Sequence, residues 1–84
     1  MNPKTLPKVN STRFDGSVVK SNRNAGYVLF DGDNIVGVII RPRNGKRTWG
    51  WALTGSYTNG YVVGQQAAVD ALVKAYEQTL EAQS

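Results

Sequence analysis

The chain has 84 residues, 40% hydrophobic and 19% charged, enough for one domain with a thin core and too apolar for wholesale disorder. It contains no cysteine and no histidine, which removes disulfides, thiolate chemistry and the commonest proton-transfer and metal-binding side chain. The net charge of +4 is uneven: residues 1–64 carry nine Lys or Arg against three Asp, whereas residues 65–84 carry Lys74 against Asp70, Glu77 and Glu81.

Residues 1–12 include Pro3, Pro7, Lys4 and Lys8, with only Leu6 and Val9 to bury, and are read as a flexible basic arm. Residues 13–84 are then a single domain. The arm has no apolar segment of the kind a signal peptide needs. The longest apolar run lies around Val38, Ile39 and Ile40, far below the roughly 20 residues of a membrane span. A cytoplasmic location is the expectation.

From Arg13 onward the punctuation is that of β-hairpins. Residues 14–20 suit a first strand, weakened by Asp15-Gly16, and residues 21–26 suit a turn. Residues 27–30, Tyr-Val-Leu-Phe, suit a second strand, and Asp31-Gly32-Asp33-Asn34 a reversal. An even-length turn there sends Tyr27 and Leu29 to the core, and an odd one sends Val28 and Phe30. Residues 35–43 form the most apolar strand. Asn44-Gly45 is the strongest hairpin signal, because a type I′ turn requires positive φ at both central positions. Residues 47–54 return.

A two-residue turn at Asn44-Gly45 predicts a register in which Arg43 faces Lys46, Ile40 faces Trp49, Val38 faces Trp51 and Val36 faces Leu53. These six apolar residues would share the core face. The opposite face would carry Ile35, Gly37, Ile39, Arg41 and Arg43 beside Lys46, Thr48, Gly50 and Ala52. Asn59-Gly60 is a second candidate turn, followed by a short extra strand at residues 61–63. From about Gly64 the period becomes helical. Val69, Leu72, Val73, Tyr76 and Leu80 line one stripe, and Asp70, Lys74, Glu77 and Glu81 oppose it. The predicted fold is α+β, an antiparallel three- to four-stranded β-meander with one C-terminal α-helix packed on the tryptophan face.

The main candidate site is Arg41-Pro42-Arg43-Asn44-Gly45-Lys46-Arg47, four cations at one hairpin tip. Arginine can grip guanine edges and lysine can hold phosphate, so these residues, with Thr48 and the flanking Lys20 and Arg23, form a candidate nucleic-acid surface. The same cluster also suits a solvated tip that resists edge-to-edge pairing. Trp49 and Trp51 are assigned to core packing and not to base stacking. Asp31 to Asn34 lacks the ligands of a calcium loop and reads as a turn. Tyr57, Thr58, Asn59 and Tyr61 could line a small-molecule or peptide surface, but read better as ordinary loop residues. No phosphate loop, carboxylate dyad or nucleophile–base set can be assembled.

Strands followed by a helix, with basic residues over the stretch from Gly37 to Ala52, resemble the general plan of plant AP2-type and integrase arm-binding DNA domains. That resemblance implies a sheet face read against a DNA major groove, and no residue role is carried over from it. The expectation is a non-catalytic, cofactor-free binder of nucleic acid, in the first instance duplex DNA. The alternative is a small phage-type or mobile-element protein that inhibits or adapts another protein. Its surface would be the apolar outer patch at Ile35, Gly37, Ile39, Gly50 and Ala52, with Val28 and Phe30, which could also pair two copies.

Overall fold

Five strands in chain order, β1 (Gly16–Lys20), β2 (Gly26–Asp31), β3 (Asn34–Ile40), β4 (Thr48–Leu53) and β5 (Asn59–Val63), form one antiparallel sheet. Helix α1 (Gln65–Gln83) packs across it, mainly over β3, β4 and β5. The computed structural model describes residues 6–21, 26–43 and 46–83. The α+β class is as expected, with five strands in place of three to four. The short extra strand expected at residues 61–63 is formed as β5, and Asn59 and Gly60 are not a turn but its first residues, opposite Ala52 and Trp51. Residues 54–57 make the reversal instead, closed by Leu53 N–H donating to the Thr58 carbonyl at 3.0 Å.

The β2–β3 turn is even-length. Asp31 pairs with Asn34, and Gly32 takes a φ of 62°, a conformation glycine adopts without steric cost. Tyr27 and Leu29 accordingly point to the core, 4% and 2% exposed. A β-bulge follows: Leu29 pairs with Gly37 and Phe30 with Ile35, so Val36 is the extra residue. The bulge turns Val36 inward, where it is 1% exposed, and leaves Ile35 half exposed.

The expected β3–β4 register is not formed. Ile40 stands opposite Gly50, Ile39 opposite Trp51 and Gly37 opposite Leu53, one residue away from the pairing of Ile40 with Trp49. The chain does reverse where expected, with Lys46 N–H donating to the Arg43 carbonyl at 3.1 Å. Four steps then separate Lys46 from Gly50 while three separate Ile40 from Arg43, so the returning arm carries one residue more. Pro42 lacks the N–H that would extend the ladder past Ile40. The type I′ assignment for Asn44-Gly45 lies outside the described residues, as does most of the turn assigned to residues 21–26.

The slip corrects the expected faces. Trp49, Trp51 and Leu53 do face the helix, but with Ile39 and Gly37, while Val38 and Ile40 lie on the outer face with Thr48, Gly50 and Ala52. Trp49 stacks against Tyr27 at a centroid separation of 6.2 Å. From α1, Ala68, Val69, Leu72, Val73 and Ala75 complete the buried cluster, and Tyr76 packs at its margin. The Gly64 carbonyl accepts the first helical hydrogen bond, from Ala68 N–H at 3.2 Å.

Residues 6–12, part of the stretch read as an arm, lie along the helix. Lys8 N–H donates to Gln66 Oε1 at 2.9 Å, and Gln66 Nε2 donates to the Lys8 carbonyl at 2.7 Å. Farther along, Ser11 Oγ meets Glu77 at 2.5 Å and Arg13 pairs with Glu81 at 2.6 Å. Pro7 is buried, and Val9 and Phe14 pack on the core above Gly16, where α1 does not reach β1.

Gly37 permits a close approach of the helix to the sheet. A Cβ there would meet the Ala52 carbonyl oxygen at 2.2 Å and Leu72 Cδ1 at 2.7 Å. Gly37→Ala is expected to cost about 1–3 kcal/mol through overpacking, read as a lower urea midpoint at unchanged m. An unchanged midpoint would contradict this packing.

Tyr76 OH donates to Asp31 Oδ2 at 3.0 Å and meets Phe14 edge-on at 4.8 Å. Burial first, and then the hydrogen bond to and the charge of Asp31, raise its pKa above the usual 10.0. The folded state therefore holds the phenolic proton more tightly than the unfolded state. The contribution is complete below the unfolded value and is lost as pH rises through the folded one. Tyr76→Phe should cost about 1 kcal/mol at neutral pH. Comparing urea titrations of both proteins at rising pH, the difference should shrink above the usual phenol range. A difference constant with pH would refute the coupling.

Candidate functional site

Among the described residues no helix lies against the outer face of the sheet. Alternation places Val19 on β1, Val28 on β2, Val38 and Ile40 on β3, Gly50 and Ala52 on β4, and Tyr61 and Val63 on β5 on this face. Ile40, Tyr61 and Val63 are 43%, 77% and 70% exposed, so this end of the face is apolar and open. Gly37 and Ile39, expected in an outer apolar patch, belong to the core; Ile35, Gly50 and Ala52 do lie outside.

Where this face meets the β3–β4 hairpin lies a cavity of about 600 Å³. Ile40, Thr48, Gly50 and Tyr61 line it from the strands, and Arg41, Pro42, Arg43 and Lys46 line it from the hairpin. No acidic side chain is among these lining residues, and Arg41, Arg43 and Lys46 are all exposed. Among the described residues the ion pair is Arg13–Glu81, at the C-terminal end of α1, and none engages these three cations. A concavity with several uncompensated positive charges concentrates an electrostatic field that attracts anions. A smaller hollow of about 230 Å³ continues over Ile40, Gly50, Ala52 and Asn59 beside Tyr61.

The structure brings together four of the seven expected site residues: Arg41, Arg43, Lys46 and Thr48. Arg47 is exposed but does not line the cavity, and its carbonyl accepts from Gly64 N–H at 3.3 Å, joining the hairpin to the start of α1. Lys20 ends β1 opposite Tyr27, two strands away from β3 and on the helix side of the sheet. Arg23 lies outside the described residues.

Tyr61 lines the cavity, although the sequence favoured an ordinary loop residue there over a binding surface. The short strand expected at residues 61–63 is formed, and it begins two residues earlier, at Asn59-Gly60, a dipeptide that ordinarily signals a turn. Two aromatic–glycine pairs hold β4 and β5 together. Trp51 stands opposite Gly60 on the helix side, and Tyr61 stands opposite Gly50 on the outer side. An added Cβ at Gly50 would meet Tyr61 Cε1 at 3.2 Å and Cδ1 at 3.5 Å, so the ring leans over the bare glycine backbone. A Cβ at Gly60 would meet the Trp51 indole at 3.0 Å. Each aromatic covers the backbone that its partner glycine leaves open.

The Asp31 to Asn34 segment is the β2–β3 turn, and the Asp31 carboxylate is engaged by Tyr76. Among the described residues no group of three or more Asp or Glu is placed to hold a metal. No described helix is long and apolar enough to cross a membrane. No family model, curated protein or solved structure matches the chain.

Proposed function

We propose that the protein is a non-catalytic nucleic-acid binder that takes the phosphate backbone in the outer-face cavity of the β3–β4 hairpin. One observation carries this reading: three cations from the two arms of one hairpin line a concavity that has no acidic lining residue. Arg41 and Arg43 supply planar guanidinium forks suited to phosphate oxygens, Lys46 a mobile point charge, and Thr48 a hydroxyl. The charge division of the chain agrees with it, since the acidic residues of α1 lie across the sheet from this face. Arg47 and Lys20, outside the cavity, would add only long-range attraction.

A second reading rests on the exposure of Ile35, Ile40, Tyr61 and Val63, which leaves apolar side chains open on the outer face. Such exposure also suits a protein partner or a second copy of the chain, as in a small inhibitor or adaptor. That reading predicts association insensitive to the arginines.

The binding experiment is fluorescence anisotropy with labelled oligonucleotides at several salt concentrations. With about three phosphates neutralised, affinity should fall roughly 20- to 40-fold between 50 and 200 mM salt. The double variant Arg41→Glu, Arg43→Glu removes no buried contact, so it should keep the parent's melting temperature to within the small range of surface changes. Its affinity should drop more than about tenfold. Unchanged affinity in that variant, or no binding by the parent even at low salt, would end the proposal.

A further inference from the structure

We infer that the ligand of this site is a single-stranded nucleic acid, with one unpaired base stacked on Tyr61 while the hairpin cations hold the adjoining phosphates. The inference rests on the nucleic-acid reading above and adds what kind of strand is taken.

Tyr61 is 77% exposed although it lies within a sheet strand and not at a turn. Most of the residue is therefore in water, where an aromatic surface gains by being covered. The ring leans across Gly50, whose missing side chain keeps that part of the sheet low. Ile40, 43% exposed, flanks Gly50 on the side of β3. Together they form an apolar shelf at the foot of the cavity, with Arg41, Arg43 and Lys46 around the rim. A flat apolar floor beneath a cationic rim matches a nucleotide, whose base is flat and apolar on its faces and whose phosphate is anionic.

A volume of about 600 Å³ lies within the range of sites that hold small ligands, so a base and its sugar fit inside. A duplex keeps its base faces stacked within the helix and can offer Tyr61 only an edge or a sugar. A single strand offers a free face at every nucleotide. The smaller hollow over Ala52 and Asn59 continues from Tyr61 along β4 and β5, which gives a neighbouring nucleotide a path across the same face.

The test compares an oligothymidylate of about ten nucleotides with its duplex on oligoadenylate. Both are titrated by anisotropy at one low salt concentration against the parent, Tyr61→Ala, Tyr61→Phe and the Arg41→Glu, Arg43→Glu double variant. The single strand should bind more tightly than the duplex. Tyr61→Ala should weaken single-strand binding about tenfold, leave duplex binding unchanged, and be rescued by Tyr61→Phe, which keeps the ring. Circular dichroism melts establish that each variant is folded. Should Tyr61→Ala not fold, an unweakened single-strand affinity for Tyr61→Ser or Tyr61→Glu decides against stacking in the same way. Duplex binding equal to or tighter than single-strand binding, with Tyr61→Ala silent, overturns the stacking inference while arginine-dependent binding keeps the nucleic-acid reading. Absence of binding to both oligonucleotides overturns both.

Discussion

Ile40 stands opposite Gly50, and the division of side chains between the two faces of β3 and β4 follows from that pairing. Strand side chains alternate, so a shift of one residue exchanges the inward and outward sets of a whole strand. With Ile40 opposite Gly50, Ile39 and Gly37 meet the helix beside Trp51 and Leu53, and Ile40 is sent outward. The Val36 bulge then restores an apolar side chain to the core at the far end of β3, where strict alternation would have buried Ile35. A register slip and a bulge together let one strand of nearly uniform hydrophobicity serve both a core and an exposed surface.

The two faces differ in how they are finished. The inner face is closed by α1 over β3 to β5 and by residues 7–14 over β1, and no buried polar or charged residue is found among the described residues. Polar contacts sit at its edges, where Gln66, Glu77 and Glu81 tie the N-terminal segment to the helix and Tyr76 ties the helix to the β2–β3 turn. For a domain of this size, whose stability is small, anchoring a terminal segment along the helix adds buried area that strands and helix alone do not supply. Among the described residues the outer face has no such cover. It carries exposed apolar side chains such as Ile40, Tyr61 and Val63 and, at the hairpin end, exposed cations, and that juxtaposition is why function is placed there.

Much of the fold was legible in the chain. The helix was, because a nineteen-residue periodic stretch leaves little ambiguity, and the stripe through Val69, Leu72 and Val73 is the one that is buried. The inward direction of Trp49 and Trp51 was legible too. On β4 the large residues Trp49, Trp51 and Leu53 alternate with Thr48, Gly50 and Ala52, so the strand reports its own orientation. On β3 no such contrast exists, since Val36, Val38, Ile39 and Ile40 are all aliphatic. Its orientation had to be borrowed from the hairpin turn, and the extra residue on the returning arm beside Pro42 spoiled the loan. The cationic rim was legible as a charge cluster, whereas the floor was not. Tyr61 belongs to a strand whose first two residues imitate a turn, and the leaning of its ring over Gly50 is a tertiary fact.

The most direct check on the account is the set of interstrand proton contacts between β3, β4 and β5, measured by nuclear Overhauser effects on the labelled protein. The structure predicts contacts joining Ile39 with Trp51 and Ile40 with Gly50, and contacts from the Tyr61 ring protons to the Gly50 α protons. Contacts joining Ile40 with Trp49 and Val38 with Trp51 would contradict it, because they would return Ile40 to the core and take the floor out of the cavity.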